Sequence, residues 1–344
     1  ARLVAFPGRD VSAAERIAAG TGPDVPTGEY VPDVYAPLAG RIEDLTTVRV
    51  AAGGGWQVVP AVTLTHLSRP GGPVAAAETF DWRAASSATL RLRLAEGGLT
   101  THARRPEPLP GWLRRARRGR CRLLVVNAVE HQPRVTAEHR LLAEHGAEVI
   151  RGLEMLARCI GATGRMLAVD RRRTDSYREL VGPSRLYRIE RIALEPKYPA
   201  GAPNVLTKVL TRREVPPGGR PEDVGVAIVS AATCLAVHRW VACGLGQTHR
   251  LVTVAGERAA ARGNRWAPFG TALADLLGGA GAPVVHGGPM NGLAGADDAV
   301  VGPATDAVLA LDVGGAEVPA PCIRCGWCIQ HCPARLNVAR LNDL

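Results

Sequence analysis

The sequence predicts an α/β multidomain protein, and three observations carry that expectation. Between residues 121 and 245, apolar runs of strand length alternate with helix-length amphipathic stretches, the pattern of a mostly parallel sheet with helices on its faces. Ahead of them, residues 30–94 break into short β-type runs separated by turn residues. Near the other end, Cys322, Cys325, Cys328 and Cys332 followed by Pro333 read C-x2-C-x2-C-x3-C-P. That spacing wraps a tight loop round an iron–sulfur cube.

Composition sets the outer bounds. At 344 residues the chain has room for two or three domains, each with its own core. No charge-free apolar run reaches the roughly 18–20 residues needed to cross a bilayer; the longest, 224–237, is too short. No basic region followed by an apolar stretch opens the sequence, so no secretory signal is expected. Unpaired cysteines beside a cluster motif suit a reducing cytoplasm. The net charge of +10 comes almost wholly from arginine, Lys197 and Lys208 being the two lysines. Arg114, Arg115, Arg117, Arg118, Arg120 and Arg122 form a dense basic run. It lacks the interleaved aromatics of a single-strand binder, so it reads as a solvated helix end or a patch for an acidic partner rather than a nucleic-acid site.

Taken in order, residues 1–30 hold a short amphipathic stretch, 11–19, and then a Gly/Pro-rich linker. Strand-like runs follow at 34–42, 47–50, 55–59 and 61–64. The apolar run 121–126 suits a buried parallel strand. Residues 136–159 carry helical spacing through Leu141, Leu142, Val149, Ile150, Leu153 and Leu156, and Gly161 stops the helix. Further strands are expected at 165–169, 188–194 and 224–229, with helices at 205–213 and after 229. From 250 to 256 the chain is again strand-like, and short strands round a helix at 272–277 suit a β-grasp unit. Gly287 to Gly292 reads as a tight turn, with a sugar or phosphate site as the alternative.

The cysteine run carries the chemistry. Structural zinc takes two C-x-x-C pairs about 15–20 residues apart, and disulfides between cysteines this close are strained. Iron–sulfur ligation is therefore expected, with Gly326 letting the backbone pass close to a sulfide. In two-cluster ferredoxins the fourth cysteine of such a run serves the other cluster, so Cys322, Cys325 and Cys328 are the firm ligands and Cys332 the candidate fourth. Cys121, Cys159, Cys234 and Cys243 sit in apolar segments and read as small core residues. Arg324, Arg335 and Arg340 surround the loop. They would raise a cluster's potential and favour an acidic donor, or merely balance its charge.

Several segments, in order, resemble the C subunit of the Rnf ion-translocating ferredoxin:NAD oxidoreductase, itself related to the flavin- and NADH-binding subunit of respiratory complex I. They are residues 36–40 (APLAG), 124–130 (LVVNAVE), 136–140 (TAEHR), 197–201 (KYPAG), 210–219, 252–256, 287–292 (GGPMNG) and 322–333. The resemblance implies a barrel-sandwich hybrid β domain (31–105) after an N-terminal segment (1–30). A Rossmann-like domain (106–245), a β-grasp domain of SLBB type (246–316) and an iron–sulfur segment (317–344) would follow. The barrel-sandwich module cannot carry lipoate or biotin, because no lysine precedes Lys197.

The departures from that family concern its flavin. Its glycine-rich loop becomes residues 97–106 (GGLTTHARRP), with one glycine pair and no lysine. Its N-G-A-E-x-E-P segment keeps Asn127 and Glu130 but has Gln132 for the second acid. Its phosphate turn becomes Ser230-Ala-Ala-Thr233, and the acid expected near Ala202-Pro203 is missing. Flavin binding needs close backbone approach and amide donors for the phosphate. Bound FMN is therefore not expected, and Asn127, Glu130 and Lys197 are remnants of the flavin site.

The implied function is an electron-transfer subunit that relays single electrons through a 4Fe-4S cluster inside a larger redox assembly. Its partners would be other redox subunits, a ferredoxin-like iron–sulfur protein among them. Its location would be cytoplasmic, or peripheral on the cytoplasmic face of a membrane complex. Two alternatives stay open: an FMN-containing NADH:ferredoxin-type oxidoreductase subunit, and a scaffold with a structural cluster.

Overall fold

The computed structural model describes residues 2–20, 32–68, 72–279, 283–295, 298–312, 321–332 and 336–342. It is a mixed α/β structure with one parallel sheet and several antiparallel or mixed ones.

The N-terminal third is β structure. Strands β1 (Arg2–Leu3), β2 (Asp10–Val11), β3 (Arg16–Ala19) and β4 (Val34–Tyr35) precede a long hairpin, β5 (Gly40–Ala52) and β6 (Gly55–Thr65). Where the sequence suggests one amphipathic stretch at 11–19, the chain makes β2 and β3 instead. These pair into two small sheets, β1-β3-β4 and β2-β5-β6, closed over Ala5, Val11, Ile17, Ala36 and Ile42. The runs expected at 47–50, 55–59 and 61–64 are parts of the one hairpin, paired from Arg41↔Thr65 to Ala52↔Gly55. Gly53 and Gly54, with φ of 67° and 91°, make the left-handed two-residue turn that matches strand twist.

Next comes the parallel layer. Helices α1 (Ser87–Glu96) and α2 (Leu109–Arg118) lead into β7 (Leu123–Ala128), α3 (Ala137–Ile160) and β8 (Gly164–Asp170). A 3-10 stretch, α4 (Val181–Leu186), β9 (Glu190–Leu194), α5 (Pro203–Thr211), β10 (Val226–Ser230) and α6 (Ala231–Cys243) complete it. The strand order is β10-β7-β8-β9, all parallel. Alternate residues of β7 serve opposite faces. Leu124, Val126 and Ala128 enter the core shared with α1, α2, α3 and α6, whereas Val125 packs with Leu206 of α5. Glycine permits the closest helix contact: a Cβ on Gly152 of α3 would lie 1.9 Å from the Cys234 carbonyl of α6. Helix α3 ends as expected, Gly161 taking φ 77° and donating its N–H to Ala157.

The third part is a five-stranded sheet of β11 (His249–Ala255), β12 (Gly263–Pro268), β13 (Val284–His286), β14 (Leu293–Ala294) and β15 (Ala307–Ala310), with helix α7 (Leu273–Leu277). Its order is β12-β11-β15-β13-β14, and β15 runs parallel to β11. Two short helices, α8 (Trp327–His331) and α9 (Val338–Asn342), follow. Among the described residues, no helix is long and apolar enough to cross a membrane.

Candidate functional site

In an open parallel sheet, ligands sit beyond the carboxyl ends of the strands where the strand order reverses. Here that point lies between β7 and β10, and a cleft of about 750 Å³ opens there, reached by Asn127 and Ser230. The segments 101–107, 129–135, 198–204 and 218–222 wall it, and His286, Gly287, Asn291 and Asp306 close it from the mixed sheet.

Asn127, next to last in β7, has both polar atoms used by the chain itself. Its Nδ2 donates to the Gly201 carbonyl at 2.8 Å, and its Oδ1 accepts from Val129 N at 3.2 Å. Gly201 packs so closely that a Cβ there would lie 2.0 Å from the His131 ring, which accounts for the glycine of the 197–201 segment. Glu130 is buried, and one carboxylate oxygen accepts the amides of Glu138 and His139 at 2.7 and 3.1 Å. It thereby caps the first turn of α3, whose own N-cap Thr136 makes no side-chain cap bond. Burial, with the nearby Glu138 carboxylate, pushes its pKa up to about 8. Lys197 is exposed and does not line the cleft, although Tyr198, Pro199 and Gly201 beside it do. Asn127 and Glu130 are thus brought together, and Lys197 stands apart.

The floor holds a largely buried polar cluster assembled from five separate segments. Glu138 of α3 accepts from Arg250 Nη2 of β11 at 3.1 Å and from Ala232 N of α6 at 3.2 Å. Arg250 also donates to the Thr305 carbonyl at 3.1 Å and lies 2.9 Å from His102 Nδ1. The other ring nitrogen of His102 abuts Gln247, and its backbone N–H donates to Thr233 Oγ1 at 2.9 Å. Burial, followed by the Arg250 charge, holds His102 well below its usual pKa and therefore neutral. Burial raises Glu138, and Arg250 opposes that rise. Spacing gives no hint of a pair 112 residues apart; the available signal is an arginine near the start of a largely apolar strand, which demands a buried partner.

This geometry bears directly on flavin. Two first-turn amides of α6 are already taken, Ala232 N by Glu138 and Thr233 N by Ser230 Oγ, each at 3.2 Å. The glycine pair ahead of them packs on the chain itself. A Cβ on Gly97 would meet the Trp240 ring at 2.5 Å, and one on Gly98, at φ 61°, the Asp33 backbone at 2.6 Å. The amides of Ala232 and Thr233 and the peptide surface at Gly97 and Gly98 are thus engaged within the chain. The segment Gly287–Gly292 is a turn, Gly292 N donating to Gly288 O at 2.8 Å. It docks through Asn291 and Met290 on Gln132.

The second site is the cysteine run. Cys322, Cys325 and Cys328 are exposed and Cys332 half-buried. Gly326, φ 78°, turns the chain into α8 in the left-handed region. That backbone conformation by itself favours glycine at this position. Arg324 and Arg340 are exposed on the same segment, while Pro333 and Arg335 lie outside the described residues. Among the described residues no three His, Cys, Asp or Glu side chains are grouped as a metal site. What fits a cluster is the donor set itself, four thiols within residues 322–332. The remaining cysteines are unlike these. Cys121, Cys159 and Cys234 are buried and Cys243 is half-buried. Burial pushes Cys121 and Cys159 up to about 12, which makes them inert core thiols.

Residues 111–239, the heart of the parallel layer, match the family described as Nuo51 FMN-binding domain. Over a longer stretch the chain is similar to the C subunits of ion-translocating oxidoreductase complexes. The relative from Erwinia tasmaniensis is 36% identical over 226 residues, covering 62% of this chain and 28% of that protein. Those from Salmonella choleraesuis and Cronobacter sakazakii are 35% and 34% identical, again over 62% of this chain and covering 32% and 29% of theirs. The match thus spans about a third of these curated relatives or less. Among solved structures, the NAD+-reducing NiFe-hydrogenase in its air-oxidized state shares the fold, with a TM-score of 0.53 at 21% identity over 66% of this chain and 47% of that one.

Proposed function

We propose that this chain is an iron–sulfur electron-transfer subunit of a multi-subunit redox complex. Cys322, Cys325, Cys328 and Cys332 would hold a 4Fe-4S cluster, which when bound supplies one-electron transfer. The observation that carries the reading is the C-x2-C-x2-C-x3-C-P run in an exposed loop turned by a left-handed glycine. Arg324 and Arg340 place positive charge on the same segment, which favours an acidic redox partner. The relatives' description as subunits of an ion-translocating complex supports other redox subunits as partners. It also supports peripheral attachment at the cytoplasmic face of a membrane.

The subunit has no FMN of its own in this reading. Supporting that is the use of the α6 amides and of Gly97 and Gly98 within the chain. Glu130 and Asn127 then act as structural groups, capping α3 and tying β7 to residue 201. The family match to an FMN-binding domain, together with the size of the cleft, favours the second reading, an FMN-containing NADH:ferredoxin-type subunit. The strand order of the mixed sheet, second-first-fifth-third-fourth about one helix, supports assigning 246–316 as a β-grasp unit of SLBB type. The hairpin-rich segment is assigned as the barrel-sandwich domain, expected over 31–105 although Trp82, Leu90 and Leu94 at and before α1 pack into the core of the parallel layer; 106–245 is assigned as the Rossmann-like domain and 317–344 as the iron–sulfur segment.

Iron, acid-labile sulfide and flavin measured on anaerobically purified protein test this together. About four irons per chain, with a reduced-state paramagnetic signal and no flavin fluorescence, are expected for one such cluster. Stoichiometric zinc without iron would overturn the cluster, and a yellow cofactor would select the second reading.

A further inference from the structure

Helix α2 is two-faced in charge as well as in hydropathy. Leu109, Pro110, Trp112, Leu113 and Ala116 are buried. Arg114, Arg117 and Arg118, related as i, i+3 and i+4, form the exposed stripe opposite. Arg120 and Arg122, also exposed, carry it through the turn to the start of β7. Arg115 alone turns inward, onto Glu107 and Glu222. The other five make no ion pair with a carboxylate among the described residues. This stripe runs to the amino end of β7, whereas the cleft opens at the carboxyl ends of β7 and β10. The charges are therefore not spent on the candidate ligand site.

Keeping five unneutralised guanidinium groups side by side costs mutual repulsion. An opposing layer of anions removes that cost. No large apolar side chain is exposed between residues 109 and 123, so the face lacks the buried anchor that concentrates binding energy in a specific protein interface. Guanidinium forks match phosphate oxygens in pairs. Charge without an anchor suits a surface that is itself a continuous sheet of phosphates.

We propose that the exposed arginine face of α2 and the following turn (Arg114, Arg117, Arg118, Arg120 and Arg122) binds the anionic headgroup layer of a membrane. This rests on the proposed peripheral attachment and gives it a surface. The cleft and the sheet ends around it would face away from the bilayer.

Co-sedimentation of the full chain with lipid vesicles tests it. The wild-type protein is expected to bind phosphatidylcholine vesicles doped with phosphatidylglycerol and to ignore pure phosphatidylcholine. Binding should fall as the ionic strength passes ~0.1 M. Replacing Arg117, Arg118, Arg120 and Arg122 together by glutamine should weaken binding about a thousandfold, at ~1 kcal/mol per basic residue. The matching four-lysine variant should retain most of the binding and reports on folding in the same assay. The proposal is overturned by a wild-type chain that ignores anionic vesicles, or by a glutamine variant that binds like wild type. It is equally overturned if an acidic protein is captured where vesicles are not, or if inorganic phosphate at matched ionic strength displaces the vesicles. Iron content of the same preparations reports separately on the cluster, so loss of either reading is recognised without the other.

Discussion

Replacing Glu130 by glutamine isolates one titration inside the cleft. The amide keeps an oxygen for the N–H groups of Glu138 and His139 at the head of α3 but cannot ionise. In the wild-type chain, burial and Glu138 lift the Glu130 pKa from 4.5 to about 8. The folded state therefore keeps a proton that the unfolded chain releases. The stability contributed by the neutral form is fully present below about pH 4.5 and is lost as pH rises toward about 8. A shift of that size corresponds to at most on the order of 5 kcal/mol between the two ends of the window. Urea unfolding of both proteins at intervals from acid to mildly alkaline pH measures it. Their difference should change in favour of the glutamine variant across the window and level off above it. Parallel curves would refute the reasoning, as would a wild-type chain that gains on the variant with rising pH.

Other expectations follow from single contacts. Cys325→Ser should empty the tail of iron in elemental analysis, while Cys159→Ser, in the buried core, should leave the iron content unchanged. Gly152→Ala places a Cβ 1.9 Å from the Cys234 carbonyl. Urea denaturation should show a loss of about 2 kcal/mol or more as α3 and α6 are forced apart. Arg250→Met strands the half-buried Glu138 carboxylate, at about 2 kcal/mol or more. Adding Glu138→Gln should return much of that loss, and a double-mutant cycle reads the coupling.

The parallel layer is legible in the sequence because its central strands β7 and β10 are apolar on both faces and its long helix repeats with a clear period. Leu141, Leu142, Val149, Ile150, Leu153 and Leu156 mark the buried side of α3, and Gly161 ends it. The hairpin β5–β6 is less legible. Polar residues at Asp44, Thr46 and Thr47 face water along much of its length, and Pro60 inside β6 reads as a break. That proline is tolerated because β6 lies at the sheet edge, paired on one side with β5. Helix α1 carries local signals in the Ser86 cap and in Leu90 and Leu94, but the helix is short and follows the β-type runs directly, where a continued β pattern is the simpler expectation. At the candidate site, Asn127 and Glu130 can be read from the 124–130 segment. The partners that decide their role cannot, since Glu138, Thr233, His102 and Arg250 meet only through tertiary folding.

The meeting of those four residues also governs how the polypeptide can be divided. Arg250 belongs to the mixed sheet, yet it reaches Glu138 and His102 on the parallel-sheet side, and Leu251 beside it is part of that side's apolar core. Severing the gene after residue 245 would leave an acid facing an unfilled hole and a second fragment with a cation stripped of its counterpart. Truncated versions ending there should come out of expression hosts insoluble or quickly degraded. A cut beyond β15 would carry the complete knot with it.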